Sequence, residues 1–391
     1  MKKVLLLLTL ILGIFTYSWA YDFKSGDLYY NITNNSAPYT VEVTYSSTSR
    51  PSSDDVNYAN LITANIPASV SYSGKTYSVT GIGSAAFSMC SSLTSISIPN
   101  SITSIGFGAF RKCAALVSIN IPEGIAIIID LTFCDCTSLT TINIPATVTS
   151  IGTDAFADCS SLTSITIPDN VRGIGEDAFA YCSSLESVTI GKSVNTIGEA
   201  AFQGCESLKS IIIPNEVTII EDNTFHYCTS LHSVSIGKNV TSIEPWAFSC
   251  CSSLSSIIIP DQVINIGSHA FSICKNLQSL TIGRNVTFIG WSAFMGCSSL
   301  DSIIIPSSVT TIEDNVFTGC SSLISIVVEN GNTVYDSRNN CNAIIETSTN
   351  TLISGCNYTS IPKDITTIGE SAFDGCISLA KSIIIPNSIK K

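Results

Sequence analysis

Phenylalanine recurs every 23 residues from Phe87 to Phe317, at eleven consecutive positions without an exception. A cysteine stands three residues after each of them, Cys90 to Cys320, and a leucine three after that, Leu93 to Leu323. The unit returns once more as Phe373, Cys376 and Leu379, 56 residues beyond Phe317. A period of this kind marks a stacked repeat, in which one copy is too small to bury its apolar face and neighbouring copies bury it together.

Within a unit the order is Leu93-x-x-Ile96-x-Ile98-Pro99-x-x-Ile102-x-x-Ile105-Gly106-x-x-Ala109-Phe110-x-x-Cys113. Ser95-Ile96-Ser97-Ile98 alternates polar and apolar, the period of a half-buried strand. Pro99, replaced by Gly191, Gly237 and Gly283 in other copies, ends the strand because proline cannot donate to a ladder. Gly106 reads as a turn, and the i, i+3 spacing of Phe110 and Cys113 predicts a short helical or 3₁₀ turn. Stacked copies would pair their strands about 4.8 Å apart in a parallel sheet. The Leu, Ile, Phe and Cys positions then become buried ladders of a β-rich solenoid, held by nearest-neighbour contacts.

The spacing Leu-x-x-Ile-x-Ile matches the leucine-rich repeat, with isoleucine at strand positions. More specifically, "IGTDAFADCSSLTSITIP" at Ile151–Pro168 resembles the Treponema pallidum-type repeats of BspA-like bacterial surface proteins. The resemblance runs from about Ile66 to the C-terminus. Two non-repeat pieces, "YDFKSGDLYYNIT" at Tyr21–Thr33 with "GKTYSVTGIG" at Gly74–Gly83, and "VYDSRNNCNAIIETSTNTLISGC" at Val334–Cys356, resemble the Bacteroides-type members. The resemblance implies a right-handed solenoid with its parallel sheet on the concave face, in a cell-surface or secreted protein that binds host or bacterial proteins.

The expected organisation is a leader over 1–20, a β-rich N-terminal cap over 21–65, repeats over 66–328, an irregular coil with a protruding hairpin over 329–360, and a final repeat over 361–391. Lys2 and Lys3, the apolar run Val4–Phe15 and the small–x–small Ser18-Trp19-Ala20 have the form of a cleaved secretory leader. The run is short of the roughly 20 residues that span a bilayer, and no second apolar span follows. Residues 46–60, rich in Ser, Asp and Asn, read as a loop. In the interruption, Val327-Val328 and Ile344-Ile345 read as strands joined by a turn at Asn330-Gly331. The chain ends at Ile389-Lys390-Lys391, inside what reads as the next coil, so association through an open last coil is an expected partner mode.

Thirty acidic against eighteen basic residues give −12, which opposes a nucleic-acid partner. Three histidines in 391 residues leave little material for acid–base or metal chemistry. No enzyme activity, cofactor or metal is expected. The one candidate metal cluster is His226, Cys228 and His232, of which Cys228 belongs to the inward ladder. Twelve of the sixteen cysteines occupy that ladder and act as small buried apolar groups. Off the ladder, Cys134 and Cys250 carry no expected role, whereas Cys341 and Cys356 flank the hairpin and are a candidate disulfide.

Two outward rows lie on the strand face. The first is a hydroxyl stripe that includes Ser210, Ser256 and Ser302. The second carries isoleucine every 46 residues at Ile212, Ile258 and Ile304, and on the same period Lys192, Lys238 and Arg284 follow the strand-ending glycines. Duplication of a two-coil unit explains this correlation; an apolar protein contact explains it as well. No aromatic residue stands on this face to stack a sugar. The expected function is adhesin-like protein binding through the concave face by an exported, secreted or surface protein. The alternative is a structural or periplasmic scaffold without a host target.

Overall fold

The computed structural model describes residues 21–45, 58, 60–377, 379 and 383–390; the leader and most of the 46–60 loop lie outside them. Each regular coil has three sides. A three-residue strand such as Ser164–Thr166 pairs in parallel with its equivalent in a neighbouring coil, Ser187–Thr189. A two-residue strand such as Ser150–Ile151 does the same with Gly173–Ile174. A row of turns closes the coil. Ladder partners stand 23 residues apart in both strand ladders, so a sequence repeat becomes a column of identical side chains. The long strands are short because Ile-Pro follows them, and the Pro99 carbonyl accepts Ile102 N–H at 3.1 Å to turn the chain.

The third side departs from the expected helical turn. Amides alternate between two destinations. Ala86, Ser88 and Cys90 donate to carbonyls three residues back at 3.1–3.2 Å, while Ala85, Phe87 and Met89 donate to Phe107, Ala109 and Arg111 of the next coil at 2.7–2.8 Å. Ala85 and Met89 adopt positive φ, as do Lys112, Asp154, Asp158 and Tyr181 at equivalent places, which breaks any helical run. A 3₁₀ helix would spend every amide internally. Linked turns instead give half of them to the neighbouring coil and hold the stack together on this side too.

Inside, the eleven phenylalanines from Phe87 to Phe317 form one column, with ring centroids 5.1–5.8 Å apart and planes within 15° of parallel. Ten ladder thiols, Cys113 to Cys320, each donate to the Phe carbonyl of the preceding coil at 3.1–3.3 Å. A cysteine here is thus more than an apolar filler: it is a weak donor linking successive coils. Burial pushes the Cys136 and Cys320 thiols up to about 12, which removes their thiolate character near neutrality.

At the N-terminal end, Phe23–Ser25, Leu28–Asn34 and Thr40–Thr44 form an antiparallel meander, and Thr40–Thr44 then runs parallel to Lys75–Ile82. Lys75–Ile82 also pairs with Ser69–Tyr72 and passes its end, Gly81-Ile82, to the first short strand, Ser104–Ile105. Thr63–Asn65 meanwhile starts the long-strand ladder beside Ser95–Ser97. Cap and solenoid therefore interleave between residues 63 and 82. Tyr58 seals the phenylalanine column, 5.2 Å from Phe87, with its hydroxyl donating to Thr44 O at 2.7 Å and accepting Tyr29 N–H at 3.1 Å.

The interruption differs from its expected form. Asn330-Gly331 does lie in a turn, with Gly331 at φ +94°, but the strand before it, Ser325–Val328, stays in the parallel ladder. The strand holding Ile344 and Ile345, Ala343–Glu346, pairs antiparallel with Tyr335–Asp336 and Thr351–Gly355 instead. Thr351–Gly355 pairs in parallel with Thr367–Ile368 and so rejoins the solenoid. The hairpin does not protrude: Ile344 lies in the main core and Ile345 in a smaller one with Leu352, Ile361 and Ile365. The turn row closes over the insertion, with Gly319 N–H bonding Asp374 O at 3.3 Å.

The structure keeps Cys341 and Cys356 as buried free thiols in place of the expected disulfide. Ala343 opposes Gly355 and Ile344 opposes Ser354. Continued outward, that register sets Cys356 opposite Asn342, one residue from Cys341, which puts the two sulfurs on opposite faces. Cys356 accordingly belongs to the main core and Cys341 to the small one; a bond would need converging Cβ atoms.

Candidate interaction surface

The long-strand face is made by an in–out–in alternation in which Ile, Val or Leu at the middle position points to the core. Its first outward row is hydroxyl almost throughout, and Ser210, Ser256 and Ser302 are all exposed. On the second row Ile212, Ile258 and Ile304 are 72, 71 and 57 % exposed, far more than core packing needs. Register sets Ser235 beside Ile212 and Thr281 beside Ile258. Successive isoleucines are therefore two coils apart, about 9.6 Å at 4.8 Å per strand. They form a row of separate anchors rather than one patch. Only Ile304 has an exposed apolar partner on its row, Val327.

The 46-residue period has a packing cause. A Cβ on Gly191, Gly237 or Gly283 would stand 2.3 Å from the carbonyl oxygen of Pro168, Pro214 or Pro260 in the preceding coil. The next amide, of Lys192, Lys238 or Arg284, donates to the side-chain oxygen of Asp169, Asn215 or Asp261 at 3.0–3.1 Å. From Pro168 to Gly283 the coils are thus docked in pairs, a Pro coil followed by a Gly coil, whereas the coils before them end in Pro99, Pro122 and Pro145. Beside one such junction a cleft of about 760 Å³ opens, lined by Arg172, Lys192, Asn195, Ile212, Asn215 and Ile236 among others. Ile212 lines it with Arg172, Lys192 and Glu216, and Lys192 is paired with Asp169 at 3.4 Å, so the cleft offers an apolar contact among charges of both signs.

Comparison with known proteins gives this architecture a family. A model described as "BspA type Leucine rich repeat region (6 copies)" matches residues 80–209, 149–265, 195–324, 241–352 and 352–391. The chain belongs to the BspA-type leucine-rich repeat family. Among solved structures it is similar to a leucine-rich repeat protein from Bacteroides ovatus, with 30% identity over 92% of this chain and 93% of the other and a TM-score of 0.64. A leucine-rich cell surface protein from Faecalibacterium prausnitzii is also similar, with 28% identity over 92% and 93% and a TM-score of 0.54. No match was found among curated proteins.

In this BspA-type chain the three residues considered for metal binding part company. Cys228 points inward and donates to Phe202 O at 3.3 Å, His226 lies in the turn row, and His232 is exposed beside the long-strand face. Among the described residues no group of three His, Cys, Asp or Glu side chains is placed to hold a metal, and no helix is long and apolar enough to cross a membrane. Two features of the turn row carry no signal in the strand pattern. One is a row of exposed aromatics at Tyr181, Tyr227, Trp246 and Trp291. Its only sequence trace is that rare residue types replace small or polar ones there.

The other feature is a run of mutually repelling carboxylates. Burial, followed by the charges of Asp154, Glu176 and Glu199, lifts the Asp177 carboxyl from 3.8 to about 6. Burial and neighbouring acids raise Asp154, Glu221 and Asp222 in the same direction. A carboxyl that holds its proton more tightly when folded destabilises the fold above its folded pKa, and that penalty is gone below its unfolded one. The melting temperature is expected to rise as pH falls from 7 towards 5. Asp177→Asn should raise it at pH 7 and flatten the pH dependence. A wild-type melting temperature that falls steadily over that range would contradict this, and differential scanning calorimetry reads it directly.

Proposed function

We propose that this BspA-type protein is exported by its leader to the cell surface or beyond and binds protein partners, adhesin-like, through the long-strand face. The observation that carries the reading is the row Ile212, Ile258 and Ile304. Three large apolar side chains stand largely exposed on a hydroxyl face, one of them lining a cleft of about 760 Å³. Ser210, Ser256 and Ser302 flank them with donors and acceptors that satisfy a partner's backbone at the rim of each contact. Scattered anchors set in polar surroundings suit an interface whose energy comes from a few side chains. The family and the similarity to a cell surface protein support both the location and the partner class.

The test is binding of the purified chain to a panel of extracellular-matrix proteins and to bacterial cells, beside the triple variant Ile212→Lys, Ile258→Lys, Ile304→Lys. Saturable binding is expected, weakened by about a hundredfold or more in the variant if each anchor contributes about 1 kcal/mol. Circular dichroism confirms that the variant is folded. Undiminished binding would move the site to another face. No binding by the wild-type chain would favour a structural or periplasmic scaffold.

A further inference from the structure

Of the chain's three tryptophans one, Trp19, belongs to the leader; the other two lie together in the turn row with two of the three histidines. His226 contacts Tyr227 at 4.2 Å and Trp246 at 5.7 Å, Trp246 stacks on His269 at 3.9 Å, and His269 meets Trp291 edge-on at 4.6 Å. Two coils before Tyr227, Tyr181 lies against Gly204, where a Cβ would come within 2.7 Å of the ring, and Gln203 Nε2 donates to its hydroxyl at 2.8 Å. Tyr181, Tyr227, Trp246 and Trp291 remain 37–50 % exposed. The result is a narrow aromatic strip along the solenoid axis, five coils or about 24 Å long, on a different side from the long-strand face.

We infer that this strip binds a linear, neutral polysaccharide laid along the solenoid axis. Indole and phenol faces offer flat apolar surface of the kind that packs on the C–H face of a sugar ring, and a polymer repeats that contact along a line. Hydrogen-bonding side chains stand among the rings with part of their surface open to solvent: Gln203, which holds the Tyr181 hydroxyl, and Asn223. Burial holds His226 and His269 below the usual imidazole range, which favours the neutral form of both.

Charge narrows the ligand. From Gly175 to Cys182 and at the same eight positions of the next six coils there are eight carboxylates and no lysine or arginine. An anionic glycan is repelled. Six of the eight acids lie between Glu176 and Glu244, and the other two, Glu313 and Asp314, lie in the coil after Trp291, whose amide donates to Glu313 at 2.7 Å. A basic polypeptide would want a contiguous apolar centre, and the strip has separated rings with polar groups between them.

The full chain carrying Trp19→Phe provides the test, because Trp246 and Trp291 are then its only indoles. Titration with soluble β-glucan, xylan and mannan is expected to give a saturable change in tryptophan emission with at least one of them, insensitive to salt. Trp291→Ala and Tyr181→Ala should each weaken it about tenfold, with the fold confirmed by circular dichroism, while Ile258→Lys leaves it unchanged. Three results overturn the inference: no saturable change with any of the three polymers, full-strength binding in both folded aromatic variants, or a response confined to polylysine and abolished by salt, which would mark a surface for basic protein.

Discussion

Replacing Phe202 by alanine is expected to cost about 3–5 kcal/mol, the range for deleting a fully buried aromatic ring. Phe202 sits mid-column, 5.3 Å from Phe179 and 5.6 Å from Phe225, with both neighbouring rings nearly parallel to it. Its backbone is tied to neighbouring coils as well: the amide donates to Thr224 O at 2.9 Å and the carbonyl accepts the Cys228 thiol. Those bonds survive truncation to alanine, so the loss isolates the ring and the cavity it leaves between two rigid coils. Phe317→Ala is the matched control. That ring has one ring partner, Phe294 at 5.8 Å, and is slightly exposed, so its removal should cost distinctly less. Denaturant unfolding compares the two, and hydrogen exchange should show the loss spreading from the coils around Phe202, because a solenoid couples nearest neighbours. Equal costs for the two variants would mean that stacking adds nothing to burial.

Gly237→Ala should destabilise by about 3 kcal/mol, at the upper end of what overpacking costs, through one added methyl group. The new Cβ would meet Pro214 O at 2.3 Å, Pro214 C at 2.8 Å and Ile213 O at 3.0 Å. All three are backbone atoms of the preceding coil, so no side chain can rotate away and the two coils must separate. Separation also strains the Lys238 N–H bond to Asn215 and reshapes the cleft beside Ile212, so weaker partner binding should accompany the lower melting temperature. Gly173→Ala is the control: its Cβ meets only the Thr196 hydroxyl, at 3.0 Å, and a stiffer unfolded chain offsets that contact. If Gly237→Ala melts with Gly173→Ala, the pairwise docking of Pro and Gly coils is not what maintains the 46-residue pattern.

Much of this architecture is legible one residue at a time. Phe, Cys and Leu at a constant 23-residue spacing have to be stacked in register, because any other arrangement would expose one copy of each. The i, i+3 spacing of Phe110 and Cys113 is less informative, since it suits a 3₁₀ turn and a pair of linked turns equally. What separates them is positive φ at residues such as Ala85, Met89 and Tyr181, none of which advertises a left-handed backbone. In the interruption, Ile344 and Ile345 read as strand, yet nothing local says that their partners are Tyr335–Asp336 and Thr351–Gly355 rather than Val327-Val328. The single-residue offset that divides Cys341 from Cys356 is equally invisible before the register is known.

The candidate surfaces divide along the same line. Ile212, Ile258 and Ile304 could be placed on the outward row from alternation alone, because a strand's two faces follow from a period of two. The spacing that sets Ser235 and Thr281 between them needed the ladder. Trp246 and Trp291 are 45 residues apart, which is not a multiple of the repeat, and they meet only through His269 packed between them. The sequence by itself determined the coil, its ladders and its outward rows, because those depend on identical neighbours repeating identical contacts. Tertiary structure alone decided where unlike residues come together, in the inserted hairpin and the aromatic strip, because those contacts join positions that no period relates.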